Sequence, residues 1–212
     1  MTEDLYLQRI ALFGGSFDPP HVAHKDIPIF LLKHGYADQV WYVPVKHHPF
    51  GKTVSSDDCR VEMLQLTIER LKKEHPEFSS QMRVVEWELE QAQMSYTFKT
   101  LQNLSKKNPK TSFRWVIGSD NLYKFDQWRD YQKILNEFGV IVYPRAGYST
   151  EPLQKGMELL KEAPEVTVSS TQIRELTAKG KNLNGFVTSE IAKFIDEHNL
   201  YRSSLLKQDA VI

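Results

Sequence analysis

Short apolar runs alternate along this chain with helix-length segments whose apolar residues stand three and four positions apart. The runs are bounded by turn residues and predict strands at 9–14, 39–45, 82–87, 113–118, 138–143 and 165–168. The other segments predict helices at 22–33, 58–73, 97–107, 131–137, 170–179 and 188–198. Because strands that alternate with helices usually pair in parallel, we expect an α/β fold: a Rossmann-like, mostly parallel sheet with helices on both faces and a small helical C-terminal region.

The length of 212 residues suits one domain, which we place at 1–202, with 203–212 as a poorly ordered tail. Lysine plus arginine and aspartate plus glutamate both number 27, so no net charge attracts the chain to nucleic acid or to an acidic membrane surface. Cys59 is the single cysteine, no signal peptide is recognisable, and charged residues interrupt every apolar stretch before the roughly 18 residues of a membrane span. We therefore expect a cytoplasmic protein with neither nucleic-acid nor membrane partners, in which phosphate is bound by locally placed groups.

A glycine-rich turn follows the first predicted strand and reads GGSFDPPHVAH at 14–24. Gly14 and Gly15 let the backbone approach a ligand closely, and the free N–H groups at the start of the next helix favour phosphate. His21 and His24 stand three apart, so both imidazoles face the same side of the first helical turn. They can donate hydrogen bonds to developing negative charge.

The same turn has plainer alternatives. It could be an ordinary turn with two surface histidines. Zinc binding would need further ligands, and the nearby His47 and His48 have no acidic or cysteine neighbours. Neither the GxGxxG of a dinucleotide site nor the GxxxxGK[ST] of a P-loop is present, which argues against a dehydrogenase and a P-loop nucleotidase.

A second candidate anion site is the sequence VSSTQIREL at 168–176, which follows the last predicted strand and opens a helix. Thr171 and Arg174 share a helix face and place a hydroxyl and a guanidinium beside the exposed amides, which suits the β and γ phosphates of a triphosphate. Ser169 and Ser170 are also good N-cap residues, so a simple capped helix start is the alternative.

The two motifs resemble the GG[ST]FDPxHxGH and [IV]S[ST]TxIR signatures of the nicotinate mononucleotide adenylyltransferases, members of the HxGH nucleotidyltransferase superfamily. Similarity extends from residue 9 to about 201 through RVEML at 60–64, SYTF at 95–98, IGSD at 117–120, Trp128 and PRAGY at 144–148. The chain departs from the family pattern at three places. Ala23 replaces a glycine, Val45 replaces an asparagine in a loop that carries Lys46 and Lys52, and Lys99 replaces an aspartate.

The resemblance implies transfer of adenylate from ATP to nicotinate mononucleotide, with Mg²⁺ bound to ATP and no metal ligand assigned to the chain. It implies that the residues which bind ATP are Gly14, Gly15, Ser16, Phe17, His21, His24, Asp120, Ser169, Ser170, Thr171 and Arg174. The implied mononucleotide contacts are Ser16, Lys46, Tyr96, Thr97, Trp128 and Arg145, with Trp128 stacked on the pyridine ring. The catalytic groups would be His21, His24, Lys52 and Arg174.

Several alternatives stay open at the level of sequence. Trp128 could be a core aromatic, and Asp120 could be a helix N-cap rather than a ribose ligand. The acceptor could be nicotinamide mononucleotide, phosphopantetheine or a phosphoalcohol, and adenylyl could be replaced by cytidylyl transfer. Because the methyl group of Ala23 could crowd the nucleotide, a catalytically silent nucleotide-binding regulator is a further alternative. A homo-oligomer is also possible.

Overall fold

The computed structural model describes residues 7–46, 55–92 and 96–202. Six strands form one parallel sheet in the order β3-β2-β1-β4-β5-β6. They are β1 (Gln8–Gly15), β2 (Gln39–Pro44), β3 (Met82–Val84), β4 (Thr111–Gly118), β5 (Val140–Tyr143) and β6 (Met157–Leu159). The expected Rossmann-like α/β fold is confirmed.

In the described ranges, six α-helices connect and follow these strands. They are α1 (Val22–Lys33), α2 (Asp57–Glu74), α3 (Thr97–Lys107), α4 (Tyr131–Glu137), α5 (Ser170–Ala178) and α6 (Ser189–Glu197). Short 3₁₀ helices lie at Pro76–Phe78 and Ser119–Gln127. The six predicted α-helices are confirmed within two residues at either end, a difference within the usual uncertainty of helix boundaries. Of the described residues, no helix is long and apolar enough to cross a membrane.

Two apolar cores cover the two faces of the sheet. Successive side chains of β1 alternate between them: Ala11 and Phe13 belong to one core, and Ile10 and Leu12 to the other. The first core includes buried residues of α1, α2, α5 and α6, and the second includes residues of α3 and α4. A central strand buried on both sides explains why the sequence of β1 is a continuous apolar run.

The prediction of a strand at 165–168 is wrong. Val166 forms only an isolated bridge to Arg145. Its backbone is hydrogen-bonded to Pro144 and Ala146, which follow the last residue of β5. The edge of β5 is already paired with β6, which was not predicted because it is only three residues long. The strand predicted at 82–87 ends at Val84, since the chain turns at residues 86–90.

The order of the strands determines where a ligand can bind. The chain runs outward from β1 through β2 to β3, then returns to the other side of β1 with β4. In open parallel sheets, such a reversal leaves a crevice at the carboxyl ends of the two diverging strands. The turn after β1 and the 3₁₀ helix after β4 both start at this crevice.

The proposed division into a domain at 1–202 and a tail at 203–212 stays a prediction. The tail, together with residues 1–6, 47–54 and 93–95, lies outside the described residues. Lys52, His47, His48 and Ser95 therefore receive no structural description.

Candidate active site

The turn after β1 is shaped by tight packing around two glycines. A Cβ at Gly14 would lie 2.0 Å from Cζ2 of Trp115, so the glycine is required by contact with the neighbouring strand. A Cβ at Gly15 would lie 3.3 Å from the Phe17 ring. Phe17 itself has a left-handed backbone (φ 51°), which is uncommon for a residue with a side chain. Its buried ring contacts His24 at a centroid distance of 4.9 Å, so this strained turn positions an imidazole.

His21 and His24 form the start of α1. His21 is the N-cap residue, and its backbone N–H donates to Nδ1 of His24 over 3.0 Å. The two rings stack with centroids 3.7 Å apart. Because Nδ1 of His24 accepts this bond, a neutral His24 carries its proton on Nε2. The two imidazoles thus lie side by side at the first helical turn, and their role toward phosphate stays a prediction.

Both imidazoles are neutral near pH 7. Burial, with a further contribution from the positive charge of Arg145, lowers the pKa of His21 to about 3. Burial lowers the pKa of His24 well below its usual value, and the neighbouring His21 and Arg145 lower it further. The pair can therefore donate N–H groups to an anion without carrying a full positive charge.

The second motif contacts the first directly. Ser169 caps α5 by accepting from the N–H of Gln172, whereas Ser170 donates its hydroxyl to the carbonyl of Pro19 over 2.9 Å. Arg174 donates Nη1–H to the carbonyl of Asp18 over 2.7 Å. Two segments about 150 positions apart in sequence are thus joined by hydrogen bonds.

These segments line one open cleft of about 360 Å³. Nine of the eleven predicted ATP residues line it, and Gly14 and Gly15 lie just behind it at the end of β1. The lining residues are Ser16, Phe17, His21, His24, Asp120, Arg145, Tyr148, Ser169, Ser170, Thr171 and Arg174. Arg145, predicted for the mononucleotide, is therefore in the same cleft, and Tyr148 is a lining residue that we did not single out.

A charged pair lies on the side of the cleft formed by β4 and β5. Arg145 Nη1 is 3.5 Å from a carboxylate oxygen of Asp120, and Nη2 donates to the carbonyl of Val168. The buried Nε of Arg145 has no hydrogen-bond partner among the residues that the structure describes. A Cβ at Gly118 would lie 2.4 Å from Asp120, so this glycine makes room for the pair. Asp120 is not the N-cap of the 3₁₀ helix, because Gly118 has that position.

Four of the predicted mononucleotide residues do not line this cleft and follow β2, β3 and β4 in the chain: Lys46, Tyr96, Thr97 and Trp128. Lys46 donates Nζ–H to the carbonyl of Gln91, and Tyr96 and Thr97 begin α3. Trp128 packs against Phe125 at a centroid distance of 5.1 Å and is partly buried beside the second core, and its stacking on a pyridine ring stays a prediction.

Contact between Arg129 and Tyr96 joins two of these segments. The Arg129 guanidinium lies 4.7 Å from the centre of the Tyr96 ring. The start of α3 and the segment that carries Trp128 are therefore adjacent, although they are about thirty positions apart.

Two buried residues near the cleft, Ala23 and Arg60, differ from what the sequence suggested. The methyl group of Ala23 is buried in the core against the sheet and does not line the cleft, so it does not narrow the nucleotide site. Arg60, the first residue of the RVEML segment, is fully buried and donates to the carbonyl of Ser16 over 2.9 Å. An arginine placed one turn before Met63 and Leu64 was a signal that could have revealed this contact.

Comparison with known proteins agrees with this geometry. The sequence model of the cytidylyltransferase-like family matches residues 12–176. The protein named probable nicotinate-nucleotide adenylyltransferase of Bacteroides fragilis is 33% identical over 190 residues, which cover 88% of this chain and 90% of that protein. The protein of the same name from Halalkalibacterium halodurans is 32% identical over 200 residues, which cover 93% of each chain.

Solved structures show the same fold. The Plasmodium falciparum nicotinic acid mononucleotide adenylyltransferase complexed with NaAD has a TM-score of 0.78 and 20% identity, covering 92% of this chain and 97% of that one. Sequence and fold together place the chain in one group: it belongs to the cytidylyltransferase-like family and, within it, to the nicotinate-nucleotide adenylyltransferases.

Proposed function

We propose that this protein transfers the adenylyl group of ATP to nicotinate mononucleotide, forming nicotinate adenine dinucleotide and pyrophosphate for NAD biosynthesis in the cytoplasm. One observation carries the proposal. The turn after β1 and the start of α5 are hydrogen-bonded to each other and line a single cleft that is rich in donors to phosphate.

The chemistry needs positioning and charge stabilisation rather than a covalent intermediate. A phosphate oxygen of the mononucleotide attacks the α-phosphorus of ATP, and the bond to pyrophosphate breaks. The two polyanions must be held in line, and the added negative charge must meet donors already in place. His21 and His24 supply N–H groups, and Thr171 and Arg174 supply a hydroxyl and a guanidinium at the N-terminus of α5.

Magnesium would enter with the nucleotide. No group of three or more histidine, cysteine, aspartate or glutamate side chains that could hold a metal ion occurs in the described part of the chain. Asp120 is the carboxylate that lines the cleft, and Arg145 is 3.5 Å from it. The donor set thus fits Mg²⁺ held mainly by phosphate oxygens and water, where it would neutralise phosphate charge.

We place the mononucleotide acceptor beside the segments that follow β2, β3 and β4. Free N–H groups at the start of α3, near Tyr96 and Thr97, suit a carboxylate such as that of nicotinate. Trp128 would contribute an aromatic edge or face from the adjacent segment. Lys46 and the predicted catalytic Lys52 would add positive charge near the mononucleotide phosphate.

The test is a substrate panel. Pyrophosphate release is measured with ATP and, in parallel, nicotinate mononucleotide, nicotinamide mononucleotide and phosphopantetheine, and again with CTP in place of ATP. We expect release with ATP and nicotinate mononucleotide, with a lower kcat/KM for the amide and none for phosphopantetheine. Release with CTP alone would indicate cytidylyl transfer. Binding of ATP without release for any acceptor would indicate a silent regulator and refute the proposal.

A further inference from the structure

We propose that Tyr201, near the end of the described chain, is a positioning residue that holds the ATP-binding turn through Asp18. The inference rests on the proposed function, since it concerns the rate of that reaction. Tyr201 lies outside residues 12–176, the part of the chain that the family model matches. It is partly buried against the core that includes residues of α1, α2 and α6.

Asp18 is the point on which the contacts converge. Its side chain is buried, with 1% of the residue exposed, and its Oδ1 accepts from the hydroxyl of Tyr201 over 2.6 Å. The same oxygen accepts from the backbone N–H of Ser55 over 3.3 Å. A buried carboxyl group that loses a donor is costly, so the Tyr201 hydroxyl is a substantial part of what keeps Asp18 in place.

Tyr201 is a donor at all ordinary pH values. Burial raises the pKa of its hydroxyl, and the nearby Asp18 raises it further. The residue is brought to the site by α6 and the turn that follows it, in which the N–H of Leu200 donates to the carbonyl of Ile195. Tyr201 has a left-handed backbone (φ 60°), so the end of the helix is bent into one defined direction.

The main chain of Asp18 connects this contact to the catalytic groups. Its carbonyl accepts from Arg174, and the carbonyl of the next residue, Pro19, accepts from Ser170. His21 follows three positions after Asp18 and caps α1. A shift of Asp18 would therefore move both the donors of α5 and the imidazole pair.

A third segment is attached at the same place. Ser55 is the first described residue after 47–54, the stretch that includes the predicted catalytic Lys52. Arg60, one helical turn further on, donates to the carbonyl of Ser16. Through Asp18, Tyr201 therefore helps to fix the positions of three segments: the turn after β1, the start of α5 and the residues just before α2.

The experiment removes one hydroxyl from the full chain. Tyr201→Phe is compared with Tyr36→Phe. Tyr36 is a partly buried tyrosine of the same core, and it lies just before β2, at the amino ends of the strands and away from the cleft. Steady-state kinetics with ATP and nicotinate mononucleotide are measured well below the melting temperature of each variant. We expect kcat of Tyr201→Phe to fall roughly 10- to 100-fold, as small misplacements of reacting groups do, with KM for the mononucleotide nearly unchanged. Tyr36→Phe should keep the wild-type kcat.

A double-mutant cycle separates positioning from general stability. If Tyr201 acts through Asp18, adding Tyr201→Phe to Asp18→Ala lowers kcat no further than Asp18→Ala alone. Asp18→Leu, which also lacks an acceptor for the Tyr201 hydroxyl, replaces Asp18→Ala in the cycle if the alanine variant does not fold. Independent, multiplicative losses, or a lower Tm with an unchanged kcat, would overturn the inference. The proposed function is tested separately by the wild-type rate, because an inactive wild type refutes the reaction whereas an active one with an equally active Tyr201→Phe refutes only the role of Tyr201.

Discussion

The low pKa of His21 makes the stability of this protein depend on pH in a defined direction. The ordinary pKa of 6.5 applies to the unfolded chain, and burial lowers the pKa of His21 to about 3 in the folded protein. Between these values the unfolded state binds a proton that the folded state does not. Stability contributed by the neutral ring is therefore complete above pH 6.5 and is lost as the pH falls toward 3.

The size of the effect follows from the two pKa values. Between about pH 7.5 and about pH 5, the linkage relation gives a loss of about 2 kcal/mol in the free energy of unfolding from His21 alone. His21 is 5% exposed, so solvent screening reduces this figure only slightly. The perturbation is His21→Gln, which keeps a polar side chain at the N-cap position but removes the titration.

Urea unfolding at the two pH values measures this loss. The wild type should lose about 2 kcal/mol more than His21→Gln on going to the lower pH. His34→Gln is the matched control, because His34 is an exposed histidine at the other end of α1 and does not line the cleft. If the profiles of wild type and His21→Gln are parallel, the ring is not held neutral by burial and the reasoning is wrong.

Three further predictions concern the same site. His24→Ala should lower kcat by roughly 10²- to 10³-fold, as measured by pyrophosphate release well below the Tm of the variant, because it removes one donor to the transition state; a near-normal kcat would exclude that role. Arg174→Ala should mainly raise the Kd for ATP in a calorimetric titration, and an unchanged Kd would count against a triphosphate site at α5. Gly14→Ala should destabilise the fold by about 1–3 kcal/mol through its clash with Trp115, whereas Gly15→Ala should cost less, and equal losses in chemical unfolding would contradict the packing described here.

The sequence predicted the features that depend on local pattern. Helices such as 97–107 and 131–137 have strong apolar spacing, and their bounds agree with the structure. The strand wrongly placed at 165–168 shows the limit of this approach. Its apolar residues are buried, yet whether they join the sheet depends on which segment already pairs with β5, and β6 is too short to be recognised.

The site was predictable where residues suited to binding phosphate also form a short sequence motif. The two segments proposed to bind phosphate were found this way, and the structure brings them together in one cleft. Tyr201 was not found, because it acts through a hydrogen bond to a distant part of the chain. Such a contact has no periodicity or spacing of its own, and only the folded topology reveals it.

The bond from Arg174 to the carbonyl of Asp18 has a consequence for the free energy of nucleotide binding at the proposed site. A free arginine side chain has about 2 kcal/mol of rotamer entropy to lose when it is immobilised. Here one end of the guanidinium is already fixed before any ligand arrives. Much of that ordering takes place once, when the chain folds, and is not repeated at each encounter with ATP.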